Sequence, residues 1–164
     1  MTLSHLDAQR HACMVDVSGK AVTVRTARAG GTIFLRLATL ELLTADALPK
    51  GDAYATSRIA GIQAAKRCAE LIPLCHTIPL DHIAIEFSAN HDPCRIEITA
   101  TVTCQARTGA EMEALLAVSV TALTIYDMIK AVDREATIGD IRLLGKSGGR
   151  SGHFQREAEG TCQE

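Results

Sequence analysis

The segment from Ala110 to Arg134 constrains the fold most, because its pattern predicts one long helix with apolar residues on two sides. At about 100° per residue, one apolar stripe contains Leu115, Val118, Ala122, Ile125, Ile129 and Val132. A second stripe contains Met112, Leu116, Val120 and Leu123. Both stripes should be buried, so we expect a sheet beneath the helix and another layer or another chain above it.

The second stripe continues into two charged residues, Asp127 and Lys130. Burying either side chain is costly unless it is paired. One interpretation is a salt bridge between residues three apart, at a helix end where a lysine also suits the dipole. The other is a general acid/base pair whose pKa values are tuned by burial and by each other. The pattern alone leaves both interpretations open.

Two acidic residues, Glu111 and Glu113, lie at the start of the same helix, where they are ordinary complements of the helix dipole. Glu113 and Asp127 face nearly the same way, but a rise of 1.5 Å per residue separates them by about 21 Å. If both are functional, either the site is assembled across a subunit interface or the ligand is long.

The remaining elements predict one α+β domain. The expected strands are 33–37, 83–87, 95–107 and 138–144, and the other expected helices are 39–48 and 52–71. Without the first, short helix the order is β-α-β-β-α-β, the arrangement of ferredoxin-like folds, with an antiparallel sheet and helices on one face. Residues 1–13 and 153–164 are expected to be mobile.

Composition excludes several classes of protein. The formal net charge of −2 gives no general attraction for nucleic acid or an anionic membrane. No stretch approaches the roughly 18–20 consecutive apolar residues of a membrane span, and the first residues do not resemble a secretory signal. The six cysteines form no C-x-x-C pair, which argues against a structural zinc site and a disulfide framework. We expect reduced thiols in a cytoplasmic protein.

Two prolines, Pro73 and Pro79, bracket an apolar run that contains Cys75 and His76. Proline fixes φ and cannot donate a hydrogen bond, so this run is neither a helix interior nor a central strand. It is either a rigid loop that holds an imidazole for function, or a connector whose histidine satisfies a backbone carbonyl.

Gly145, Lys146 and Ser147 suggest a phosphate-binding P-loop, but the glycine required upstream is replaced by Asp140 and the following glycines forbid a helix. The segment can still bind an anion through Lys146 and backbone amides. Together with Arg25 and Arg28, it suggests a phosphorylated substrate.

Several long motifs in the right order resemble one family, the cyclic pyranopterin monophosphate synthases (MoaC) of molybdenum cofactor biosynthesis. They are the runs at 14–18, 61–67, 71–76, 112–115, 123–128 and 146–149. The resemblance implies a ferredoxin-like enzyme that converts 3′,8-cyclo-7,8-dihydroguanosine 5′-triphosphate into cyclic pyranopterin monophosphate and diphosphate. It also implies a hexamer built as a trimer of dimers, with active sites at subunit interfaces.

By position, the resemblance implies that Asp127, Lys130 and Lys50 are catalytic. It assigns substrate binding to Leu74, Cys75, His76, Met112 and Glu113, and places Glu111, Arg25 and Lys146 near the pocket. We expect no protein-bound metal or other cofactor, because the sequence contains no cluster of metal ligands, although Mg²⁺ can accompany the triphosphate. One departure is Cys13, where a member of that family has histidine.

Two other classes of function are weaker. An RNA-binding ferredoxin-like domain stacks bases on sheet aromatics, and aromatics are only 3% of this chain. A nucleotide-sensing regulator would bind at subunit interfaces without chemistry. We therefore expect a small-molecule substrate, and neither a nucleic acid nor a membrane as partner.

Overall fold

The computed structural model describes residues 9–149 and 152–157 of the chain. Within them the strands are β1 (Thr23–Phe34), β2 (His82–His91), β3 (Cys94–Ala106), β4 (Thr137–Ser147) and β5 (Phe154–Gln155). The helices are α1 (Leu37–Thr44), α2 (Ala53–Lys66), α3 (Cys68–Leu71) and α4 (Glu111–Ile129).

The strands form one sheet in the order β2-β3-β1-β4-β5, and every neighbouring pair is antiparallel. α2 and α4 pack together, and α4 contacts β1, β3 and β4. The first four strands and the helices α2 and α4 therefore form the predicted β-α-β-β-α-β arrangement. This confirms an α+β fold with helices on one face of an antiparallel sheet.

Close packing of α4 on the sheet depends on small residues. Ala27 and Ala29 of β1 are buried beneath the helices. A Cβ atom at Gly31 would lie 2.5 Å from Val118 Cγ1, so only glycine allows α4 to approach β1 this closely. A core built largely from Ala, Ile, Val and Leu suits this short separation.

A single chain confirms the predicted burial of the first apolar stripe of α4 and leaves the second stripe, for which another chain was one expected cover, partly exposed. The stripe through Val118, Ala122 and Ile125 is buried against the sheet, whereas Leu123 in the second stripe is 60% exposed. α2 instead covers a different face of α4, the one that carries Ala117 and Thr121, because Gly61 brings the two backbones close together. The second stripe is left uncovered within one chain.

In length and composition α4 could cross a membrane, contrary to the expectation that no such stretch exists. Half of its apolar window is buried inside the fold, where the helix packs on the sheet and on α2. Burial in the core accounts for the apolar character of this helix.

Several predicted boundaries were wrong. β1 begins at Thr23 rather than at residue 33; the prediction missed its first ten residues because Gly30 and Gly31 interrupt the strand, and glycine is depleted in strands. α1 is shifted to earlier residues than predicted, and the helix predicted over 52–71 is divided at Arg67 into α2 and α3. The predicted mobile ends lie largely outside the described residues, although β5 pairs with Gly145 and Lys146.

Candidate active site

Two lysines converge on the carboxylate of Asp127 in the last turn of α4. Lys130, three residues further on, lies 2.7 Å from Asp127 Oδ1. Lys50 arrives from the loop between α1 and α2 and donates to Asp127 Oδ2 at 2.8 Å and to its backbone oxygen at 2.7 Å. Gly51, with φ of +87°, lets the chain turn into α2 directly after Lys50.

The two ammonium groups fix the charge of this cluster. Hydrogen bonds from Lys130 and then Lys50 lower the pKa of Asp127 to about 2. The same contact with Asp127 raises the pKa of Lys130 above its ordinary value. Asp127 is therefore a carboxylate and Lys130 an ammonium group at neutral pH.

The expectation that Asp127 and Lys130 are buried was wrong for a single chain, since their side chains are 54% and 52% exposed. The i,i+3 salt bridge expected from the sequence is present. A helix-end salt bridge does not account for Lys50, which reaches the same carboxylate from another part of the chain.

A second group of predicted residues lines a cavity of about 440 Å³ near the start of α4. It comprises Leu74, Cys75, His76, Met112 and Glu113, together with part of the segment that precedes β1. His76 Nε2 lies 2.7 Å from the backbone oxygen of Val15, so this nitrogen donates and Nδ1 is the ring nitrogen left for another contact. His76 thus satisfies a backbone carbonyl and also lines the cavity, so features of both interpretations of its loop are present.

Glu113 is the buried carboxyl of this cavity, with only 4% of its surface exposed. Burial raises its pKa, which favours the neutral form. Burial also raises the pKa of Cys75, and that of the neighbouring Cys68 to about 12. This end of the site is therefore built from groups that resist ionisation.

A larger cavity of about 760 Å³ adjoins the first, since Lys20 and Glu111 line both. Its other charged residues are Arg25, Arg107 and Lys146. Lys146 Nζ pairs with Glu111 Oε1 at 2.8 Å. The three residues Glu111, Arg25 and Lys146, expected near the pocket, are thus brought together.

Arg25 holds the glycine-rich segment in place at this cavity. Its guanidinium donates to the backbone oxygens of Ala106, Arg107 and Gly148 at 3.3–3.5 Å. A side chain at Gly149 would overlap this guanidinium. The glycines after Lys146 therefore make room for Arg25 and leave backbone available to an anion.

Sequence reasoning missed Lys20 and Arg107, and it wrongly grouped Arg28 with Arg25. Arg107 directly follows β3, at the end of the strand predicted over 95–107, and no motif in the sequence marks it. Lys20 lies in a segment without periodicity. Strand alternation places Arg28 on the sheet face opposite Arg25, where it is exposed and not part of either cavity's lining.

The two groups of residues lie at opposite ends of α4. Glu113 and Asp127 are separated by about 21 Å along the helix at its regular rise. Asp127, Lys130 and Lys50 line neither cavity in the same chain. One chain therefore presents the cavities and the charged cluster as two separate surfaces.

Neither a metal centre nor Cys13 contributes to these surfaces. No group of three or more His, Cys, Asp or Glu among the described residues could hold a metal ion. Cys13 is half-buried and is not among the residues that line the two cavities.

Comparison with known proteins agrees with the resemblance seen in the sequence. The MoaC family matches residues 14–149. The cyclic pyranopterin monophosphate synthase of Chloroflexus aggregans is 56% identical over 155 residues, which cover 94% of each chain. Cyclic pyranopterin monophosphate synthase 3 of Mycobacterium tuberculosis is 57% identical over 154 residues, which cover 94% of this chain and 86% of that protein. Because these matches span nearly its whole length, the chain belongs to the MoaC family.

Proposed function

We propose that this protein is a lyase of molybdenum cofactor biosynthesis. It converts (8S)-3′,8-cyclo-7,8-dihydroguanosine 5′-triphosphate into cyclic pyranopterin monophosphate and diphosphate. The proposal is supported by relatives named cyclic pyranopterin monophosphate synthase at 55–57% identity over nearly the whole chain. The observation that assigns this reaction to particular residues is the contact of two lysines with the carboxylate of Asp127.

The cavities suit different parts of the substrate. Lys20, Arg107 and Lys146 line the larger cavity, where their charges and the glycine backbone pair with the triphosphate. The smaller cavity receives the base, with Leu74, Cys75 and Met112 against its rings. His76 Nδ1 and the carboxyl group of Glu113, whose pKa is raised by burial, then hydrogen-bond the polar edge of the base.

The charged cluster supplies the proton transfers. Closing the cyclic phosphate forms a bond from a sugar hydroxyl oxygen to the α-phosphorus and breaks the bond to the departing diphosphate. The hydroxyl proton must be accepted, and the diphosphate gains negative charge that Lys50 and Lys130 neutralise. When an ammonium group moves from Asp127 to the substrate, the pKa of that carboxylate rises, which restores it as a base.

The cavities and the cluster meet only if a second subunit supplies one of them. The supporting observation is the separation of about 21 Å along α4. The uncovered second stripe of α4 supports it as well, because exposed Leu123 lies next to Asp127 on the same face. We therefore propose active sites at subunit interfaces in a hexamer, assembled as a trimer of dimers.

The proposed reaction uses no resident cofactor, and Mg²⁺ enters only with the triphosphate. We place the protein in the cytoplasm, because the five cysteines in the described part of the chain are free thiols. A nucleotide-sensing regulator is less well supported, since ligand binding alone does not require two lysines on a carboxylate remote from the cavities.

The test is turnover of enzymatically prepared substrate, followed by pterin fluorescence after oxidation and by diphosphate release. We expect product from the wild type and none from Asp127→Asn. Asp140→Asn is the matched control, because Asp140 is exposed and asparagine tolerates its φ of 55°. A folded wild-type protein that binds the substrate without forming product would instead support the regulator.

A further inference from the structure

We propose that Asp133 is a positioning residue, which holds Lys50 in register with Asp127 and Lys130. The proposal rests on the proposed function of that cluster. Asp133 lines neither cavity, yet its side chain is completely buried. Carboxylates are almost never fully buried unless they are paired, so its location calls for a specific partner.

That partner is the start of α1. Asp133 Oδ2 accepts the backbone N–H of Arg36 at 2.9 Å and the hydroxyl of Thr39 at 3.0 Å. Asp133 Oδ1 lies 3.2 Å from Arg36 Nε, an ion-pair contact outside hydrogen-bond geometry. Arg36 also donates from its guanidinium to the backbone oxygen of Val132.

Asp133 therefore acts as the cap that α1 lacks in its own sequence. The residue at the N-cap position, Arg36, makes no side-chain capping hydrogen bond. Burial raises the pKa of Asp133, but hydrogen bonds from Arg36 and Thr39 and the charge of Arg36 outweigh it and lower the pKa overall. The carboxylate is thus charged at neutral pH and held at the positive end of the α1 dipole.

This cap connects the segment after α4 to the start of α1, whereas Lys50 lies in the loop that follows the end of α1. The backbone N–H of Asp133 donates to Ile129, and that of Lys130 donates to Tyr126, both at 2.9 Å. Helix-like hydrogen bonds from Lys130, Val132 and Asp133 therefore hold the segment that follows Asp127. α1 is fastened to this segment before its first residue by Asp133 and beyond its last residue by Lys50.

Loss of the contact between Asp133 and α1 should loosen the contact between Lys50 and Asp127. Without Asp133, the start of α1 is free to shift, and the loop that follows α1 carries Lys50 with it. Displacement of a catalytic group by about 1 Å can cost up to about 100-fold in rate. Substrate affinity should change less than the rate, because α1 and its following loop do not line the cavities and Lys50 acts on charge that develops during the reaction.

Two variants test the proposal, Asp133→Asn and Arg36→Met. The second keeps the aliphatic stem of a side chain that is 58% exposed, so it should fold even if Asp133→Asn does not. Glu41→Gln is the matched control, because it removes an exposed carboxylate from the same helix α1. The measurements are kcat, KM and the pKa of Asp127 by carboxyl ¹³C NMR.

For Asp133→Asn we expect kcat to fall about 10- to 100-fold, with a smaller change in KM. Arg36→Met should change kcat in the same direction by a smaller factor, and Glu41→Gln should leave it unchanged. The pKa of Asp127, which Lys50 and Lys130 face, should rise as Lys50 moves away. Folded variants with unchanged kcat and unchanged Asp127 pKa would overturn the proposal.

A merely stabilising role has a different signature, namely activity that falls only in proportion to the folded fraction. That result would also overturn the proposal. If the wild type itself forms no product, the proposed function fails, whereas the pKa of Asp127 in the two variants still tests the positioning role.

Discussion

The two ends of α4 carry carboxyl groups with opposite electrostatic character. Near the first turn, Glu113 is buried and its pKa is raised, so the neutral form is favoured. In the last turn, Asp127 is half exposed and two ammonium groups lower its pKa to about 2. Desolvation dominates at one end and charge pairing at the other, so surroundings rather than residue type set the protonation state. The first end suits recognition of a neutral base, and the second suits proton transfer.

The largest expected effect is at the charged end. Lys50→Met keeps the stem of the side chain and removes the ammonium group. We expect kcat to fall about 10²- to 10⁴-fold, the range for loss of a general acid or base. KM should change much less than kcat, because Lys50 neutralises negative charge that the diphosphate gains only during the reaction. Steady-state kinetics measure both parameters.

The matched control for this substitution is Lys66→Met, which removes an exposed ammonium group at the end of α2. It should behave as the wild type. If Lys50→Met raised KM and left kcat unchanged, the division of roles between the two ends would be wrong.

The next effect is at the cavity end. Arg107→Gln removes a guanidinium from the lining of the larger cavity. Because a hydrogen bond to a charged group contributes about 1.5–3 kcal/mol, we expect KM to rise roughly 10- to 100-fold. Arg28→Gln is the control, since Arg28 lies on the opposite face of the sheet. Equal effects of the two substitutions on KM would argue against triphosphate binding in this cavity.

A smaller effect concerns stability. The folded state raises the pKa of Glu113 above its unfolded value near 4.5, so its contribution to stability is full below pH 4.5 and is lost as pH rises through the folded pKa. Glutamine cannot ionise, so Glu113→Gln removes the destabilisation that ionised Glu113 causes at neutral pH. The free energy of unfolding at neutral pH should rise by about 1 kcal/mol, the scale for a buried polar group.

Urea unfolding of Glu113→Gln and wild type at pH 4 and pH 7 measures this difference. The gain in unfolding free energy should be larger at pH 7. A variant that is destabilised by the same amount at both values would mean that Glu113 is ionised and paired in the folded protein.

The smallest effect is a salt dependence at the charged end. The pKa of Asp127 is depressed in the folded state, so its ion pairs stabilise the fold above about pH 3.8 and are lost as pH falls toward 2. Because the cluster is half exposed, 1 M salt should screen it and raise this pKa. Carboxyl ¹³C titration in low and high salt measures the shift. A pKa insensitive to salt would indicate that the cluster is shielded in the assembled protein.

Local patterns were sufficient to predict α4, the β3 strand and the β-α-β-β-α-β order of the main elements. Periodicity also brought out Asp127 and Lys130, because both interrupt an apolar stripe. The same reasoning could not find the contact between Lys50 and Asp127, since 77 residues separate them in sequence. The burial of Asp133 is equally hidden, because it depends on the start of a helix near the other end of the chain.

The exposed second stripe of α4 was predicted to be buried, and one chain does not bury it. Amphipathic patterns report that a face is apolar, and they do not say what covers it. Because the second stripe lies beside Asp127, the surface that covers this stripe also bears on how the active site is assembled.

In the proposed assembly, the cavity of one subunit binds the substrate and the charged cluster of another subunit completes the active site. The most direct measurement mixes two inactive variants, Asp127→Asn and His76→Ala, after reversible dissociation of the subunits. Random pairing should produce intact sites from one good cavity and one good cluster, with activity near a quarter of wild type. Each variant alone, carried through the same procedure, should remain inactive. A mixture that stays inactive although mixed oligomers form would contradict the claim and place each complete site within a single chain.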